Sequence, residues 1–69
     1  MYVIQRSVTY KGESEPTTTF YLGDTFGFDE FGSIKDAKLY HRIKDVRREL
    51  IRLRRKRPGK SITYIAVEI

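Results

Sequence analysis

The sequence predicts an α+β fold in the order ββαβ, a small three-stranded antiparallel sheet with one long basic helix packed on one face. Three observations predict it. β-branched and aromatic residues are frequent near both ends of the chain, in runs that alternate between two sides. Leu39, Ile43, Val46, Leu50 and Leu53, spaced 4, 3, 4 and 3, draw one apolar stripe down a helix. Gly and Pro fall between these stretches rather than within them. The 69 residues make a single domain, 1–69. A chain of this length buries only about 60% of the surface its unfolded form exposes, so one core must carry it.

Residues 2–10 read as the first strand, with Tyr2, Ile4, Val8 and Tyr10 on its drier side and Arg6 interrupting them. Residues 11–16 are a polar turn punctuated by Gly12 and Pro16. Residues 17–22 form a second strand whose apolar side is Phe20 and Leu22. Residues 23–32, with three glycines, three phenylalanines and three acids, read as a loop. Ser33 follows as a helix N-cap, with Asp36 in the capping position three residues later. The helix then has two versions: continuous to Lys56, or broken near residues 40–42 after a short turn at 33–38. Pro58 and Gly59 end it. Residues 61–69 are the closing strand, with Ile65, Val67 and Ile69 on one side and Ile62, Tyr64 and Ala66 on the other.

Composition removes several function classes. The chain has no cysteine, which excludes disulfides and cysteine-based zinc sites and suits a reducing, cytoplasmic setting. No apolar run approaches the roughly 20 residues of a membrane span, so no membrane partner is expected. Met1 leads straight into strand pattern, without the layout of a secretory leader. His41 is the only histidine, with no triad or metal set around it, and it reads as a surface or satisfied residue. No catalytic residue, metal site or cofactor is expected.

Charge is the main clue. Residues 1–34 hold two Lys/Arg against five acids, −3; residues 35–60 hold twelve against three, +9; residues 61–69 add Glu68 alone. Lys44, Arg48, Arg52 and Arg55 lie opposite the apolar stripe, and Arg47, Arg54, Lys56 and Arg57 widen that face. Cations near a helix C-terminus favour its dipole, and long stems cover apolar surface. Those effects account for two or three basic residues, not eight mutually repelling ones. The excess points to a polyanionic partner, and the guanidinium fork suits phosphate or carboxylate oxygens.

Other motifs are weaker. Gly59-Lys60-Ser61 resembles the end of a phosphate-binding loop, but Arg54 stands where the leading glycine belongs, and the segment enters a strand instead of a helix. Residues 52–57 resemble a nuclear-import string inside a packed helix. Asp24, Asp29 and Glu30 lack calcium-loop spacing and read as plain loop acids, or as partners of the basic helix of this or another copy. Phe26, Phe28 and Phe31 read as lids on the core or as a contact patch for a protein. The strand tyrosines 2, 10, 21 and 64 could stack on bases, yet the accompanying Gly/aromatic motif is absent; sheet packing with a surface hydroxyl is the plainer reading.

Several short pieces together resemble small accessory proteins of phages and prophages. They are Met1-Tyr2-Val3-Ile4, Phe20-Tyr21-Leu22-Gly23, the aromatic Gly-rich loop, Asp36-Ala37-Lys38-Leu39-Tyr40, the charged helix from about Arg42, and Ile65-Ala66-Val67-Glu68-Ile69. The resemblance implies a host-cytoplasmic setting and a fresh helix start after Tyr40, and it assigns no functional residue. Two functions are expected in rank order. The first is a non-enzymatic nucleic-acid binder that contacts phosphates through Lys44, Arg47, Arg48, Arg52, Arg54, Arg55, Lys56 and Arg57 with little sequence reading, because Asn and Gln are missing from that face. The alternative is an inhibitor of a host or bacterial defence protein, of the anti-CRISPR or anti-restriction class. It would use the basic helix on an acidic surface and the Phe-rich loop as anchor. The apolar stripe also permits a homodimer.

Overall fold

The computed structural model describes residues 1–56 and 61–69. Its elements are β1 (Tyr2–Val8), β2 (Thr17–Thr25), β3 (Phe28–Gly32), a single 3-10 turn (Ile34–Asp36), α1 (Ile43–Lys56) and β4 (Ile62–Glu68). The four strands form one antiparallel sheet in the order β3-β2-β1-β4, and α1 packs on one face of it. The α+β class is as the sequence predicts; the sheet has four strands where three were expected.

The additional strand comes from the Phe/Gly segment. Residues 23–32 are not a loop but most of a tight β2–β3 hairpin, with Thr25 opposite Phe28 and Tyr21 opposite Phe31. Only Phe26 and Gly27 form its turn, both at positive φ (52° and 83°). That is the handedness of a two-residue turn matched to strand twist, usually made by Asn-Gly. A phenylalanine at the first position hides the signal. A bulge at Leu22 lets β2 bend away from β1, with Gly23 at a φ of 131°.

Where β2 bends away, another segment fills the gap. Tyr40 exchanges both backbone hydrogen bonds with Tyr2 (2.8 and 2.9 Å), and the Lys38 N–H donates to the Tyr21 carbonyl (2.9 Å). Those contacts need extended backbone, so one helix cannot run through residues 37–42. The broken version is the one observed, with α1 starting at Ile43. Ser33 makes no side-chain cap bond. Leu39 accordingly falls outside the helix and is exposed, while Val46, Leu50 and Leu53 of the stripe are buried.

The core joins these three helix residues to Ile4, Tyr21, Tyr40 and Tyr64, with Tyr2, Phe31, Ile62 and Ala66 packed around them. Period-two alternation explains the sheet's share: Tyr2 and Ile4 face α1, with Val8 buried on the same side of β1, and in β4 it is the Ile62/Tyr64/Ala66 side. In β2 the inward residue is Tyr21, not Phe20 or Leu22, which lie half-buried on the other face. Arg6 also faces α1, its guanidinium 4.5 Å from the centre of the Phe31 ring.

Candidate functional site

Turning 100° per residue sorts the basic side chains of α1 into three sectors. Taking Lys44 as 0°, the buried Val46, Leu50 and Leu53 fall at about 200°, 240° and 180°. Arg52 and Lys56 fall on one flank, at about 80° and 120°, and Arg54 on the other, at about 280°. Lys44, Arg47, Arg48 and Arg55 fall at about 0°, 300°, 40° and 20°, with Ile51 among them at about 340°. All five of these outward residues are exposed.

The first flank is tied down. Arg52 donates through Nη2 to Asp29 Oδ1 and to the Tyr21 hydroxyl, both at 2.9 Å, and through Nε to Glu49 Oε2 at 2.6 Å. Lys56 Nζ stands 3.2 Å from Asp29 Oδ2. The Tyr21 hydroxyl donates to Asp29 (3.1 Å), and the Tyr40 hydroxyl donates to Glu49 (3.0 Å). The Asp29 side chain is closed off from solvent. Burial alone would raise its pKa; the bonds from Arg52, Lys56 and Tyr21 outweigh that and hold it below the ordinary value of 3.8. Burial pushes the Tyr21 and Tyr40 phenols well up, helped by the Glu49 charge. Bonds to Asp29, then to Glu49, raise the Arg52 guanidinium further. This cluster fastens the β2–β3 hairpin to the helix.

On the other flank, Arg54 Nη2 donates to the Tyr64 carbonyl at 2.7 Å. Thr9 and Ile69 donate to Ser61 and Met1 across the β1–β4 ladder, so in β4 Ile62, Tyr64, Ala66 and Glu68 point their backbone groups away from β1. Arg54 therefore caps a carbonyl on the open edge of the sheet, where unpaired backbone invites another strand.

Of the eight basic residues expected to meet a polyanion, Arg52, Arg54 and Lys56 are thus engaged inside the fold, and Arg57 lies outside the described residues, as do Pro58 and Gly59. Lys44, Arg47, Arg48 and Arg55 have no ion-pair or hydrogen-bond partner among the described residues. Beside them a shallow depression of about 560 Å³ is lined by Arg48, Ile51, Arg52, Arg55 and Lys56. Sequence reasoning offers Asp29 as a partner of the basic helix, which is where it sits, but misses Ile51, Glu49 and the two tyrosine hydroxyls that complete the cluster. The i,i+3 spacing of Glu49 and Arg52 was the visible half of that signal.

The three phenylalanines separate. Phe31 takes the place of a lid on the core, packed between Tyr21 and Tyr64 at centroid distances of 5.5 and 6.1 Å. Phe26 and Phe28 are 95% and 73% exposed at the hairpin tip. Two of the four strand tyrosines also turn their hydroxyls inward: that of Tyr21 sits with the Tyr40 hydroxyl in the Asp29–Glu49 cluster, and that of Tyr64 is buried with no partner among the described residues, whereas Tyr10 is exposed.

Among the described residues no group of three or more His, Cys, Asp or Glu could hold a metal ion, and no helix is long and apolar enough to cross a membrane. Fold and surface together define a class: a small antiparallel α+β domain presenting one cationic helix face. No protein-family model, curated protein or solved structure matches the chain.

Proposed function

We propose that this is a non-enzymatic nucleic-acid-binding protein that grips phosphates with the outer face of α1. The observation that carries the reading is the arc of Lys44, Arg47, Arg48 and Arg55, about 100° wide and without internal partners among the described residues. Four cations held together on one rigid face repel one another, and a polyanion relieves that repulsion. From Lys44 to Arg55 the helix rises about 16 Å, enough to follow a few successive phosphates. The binding is sequence-tolerant, because Lys and Arg aimed at phosphates carry no base information by themselves. The absence of cysteine supports a reducing, cytoplasmic setting.

Fluorescence anisotropy of labelled duplex and single-stranded oligonucleotides across a salt series tests this. Affinity falling linearly with salt on logarithmic axes is the expected result. No binding even at low salt overturns it and favours capture of an acidic protein surface instead. Sedimentation at the same concentrations separates one copy from two, since a homodimer doubles the number of cations released.

A further inference from the structure

The geometry points to single-stranded nucleic acid as the preferred ligand of this face, with Phe26 at the hairpin tip as a stacking platform for an unpaired base. The inference rests on the phosphate-binding reading above and names its substrate class. Three observations carry it.

Phe26 is almost wholly exposed, and it sits at a φ of 52°. That region is a genuine outlier for a bulky residue, whereas asparagine and glycine adopt it readily. Neither burial nor turn geometry explains a phenylalanine there. A ligand that needs a flat apolar ring does.

The tip is also anchored beside the cations. Asp29, three residues beyond Phe26, is held by Arg52 and Lys56, two of the residues that line the depression shared with Arg48 and Arg55. Three residues of chain reach at most about 10 Å, so the turn that carries the ring stands within roughly one to two nucleotides of the Asp29 end of that depression. The Asp29 cluster fixes the hairpin to the helix, so the spacing between ring and cations is set before any ligand arrives.

The chemistry selects the ligand. A base offers a π-face to an aromatic ring only when it is unpaired and free to turn outward, while its phosphates still meet the arginines. A duplex satisfies the cations but leaves Phe26 without a partner. An acidic peptide likewise offers charge without a ring-sized face.

The test compares three fluorescein-labelled probes by anisotropy at low salt: a mixed-sequence single strand of about 12 nucleotides, the same strand with abasic sites, and its duplex. The proteins are the unsubstituted chain, Phe26→Asn and Arg48→Glu/Arg55→Glu, each checked for folding by thermal melting. Asparagine suits the turn, so the first variant keeps the hairpin. Phe26→Asn is expected to weaken single-strand binding about tenfold, the order contributed by one stacked base. It should leave abasic and duplex binding unchanged, and the double charge reversal should weaken all three. Equal single-strand binding by Phe26→Asn and the unsubstituted chain overturns the stacking role while phosphate binding stands. An equal loss on all three probes also overturns it. No binding by the unsubstituted chain overturns both readings together.

Discussion

The two sides of α1 carry the same residue types and do different work. On the side turned to the hairpin, Arg52 and Lys56 converge on the enclosed Asp29, and Arg52 also holds Glu49. On the outer side, Lys44, Arg47, Arg48 and Arg55 meet no acid among the described residues. A count of basic residues treats both sides as one patch. The difference shows that a basic helix in a small domain can be half fastening and half interface, and that the partition follows from where acids fall on the neighbouring strands. Asp29 is what separates them: one carboxylate on β3, within reach of two cations a helical turn apart.

The largest effect expected from this partition is on binding. If the four outer cations supply the contacts, the logarithmic salt slope on a single strand is about −3; all eight would give about −6. Replacing Arg48 and Arg55 with Glu should weaken binding on the order of 100-fold at about 50 mM salt, because it removes two phosphate contacts and adds two repulsive charges. A slope near −6, or a double reversal that binds as the unsubstituted chain does, breaks the division between the two sides.

The sequence makes one half of this arrangement legible and conceals the other. The stripe of Val46, Leu50 and Leu53 fixes which side of α1 is buried, and the cations opposite it follow from helical period alone. The α+β class and the alternation of β1 are read the same way. What stayed hidden depends on long-range pairing. The β2–β3 turn is Phe26-Gly27 and lacks a usual turn residue at its first position, so a hairpin looks like a loop. Insertion of Tyr40 beside Tyr2 joins residues far apart in sequence, and only that pairing forces the helix to restart at Ile43. Asp29 reads as one acid that can meet the helix, but its choice of Arg52 and Lys56 depends on β3, which the sequence pattern does not announce.

The fastening side should answer in stability, to a smaller degree. Asp29→Asn keeps the shape and removes the charge that holds Arg52 and Lys56. Bonds to an enclosed ionised group are worth about 1.5–3 kcal/mol, less here because both cations stay partly exposed, so the expected loss is about 1–2 kcal/mol. In a chain of this size that lowers the melting temperature on the order of 10 °C. The same carboxylate makes stability depend on acid. Its folded pKa lies below the unfolded value of 3.8, so its contribution is fully present above about pH 5 and is lost as pH falls through 3.8 toward the folded value. Melting curves from pH 6 to pH 2 should show the steeper acid loss in the unsubstituted chain and a flatter one in Asp29→Asn. Parallel curves would mean that Asp29 does not fasten the hairpin.

The smallest effect has the opposite sign. Phe26 occupies left-handed backbone at the tip of a hairpin that the Asp29 cluster holds one residue pair behind the turn-closing Thr25–Phe28 pair. Left-handed geometry costs an ordinary L-residue about 1–2 kcal/mol, and asparagine recovers part of that through local hydrogen bonding. Phe26 makes no core contact that its removal could cost, since its side chain stands in solvent. Phe26→Asn should therefore stabilise the fold by about 0.5–1 kcal/mol, raising the melting temperature by a few degrees. Such a gain separates the ring from the fold: a residue whose replacement makes the protein more stable is not there for folding. A decrease in melting temperature would instead make Phe26 part of the hairpin's own packing, and the tip would then belong with Arg52 and Asp29 to the fastening side of the molecule.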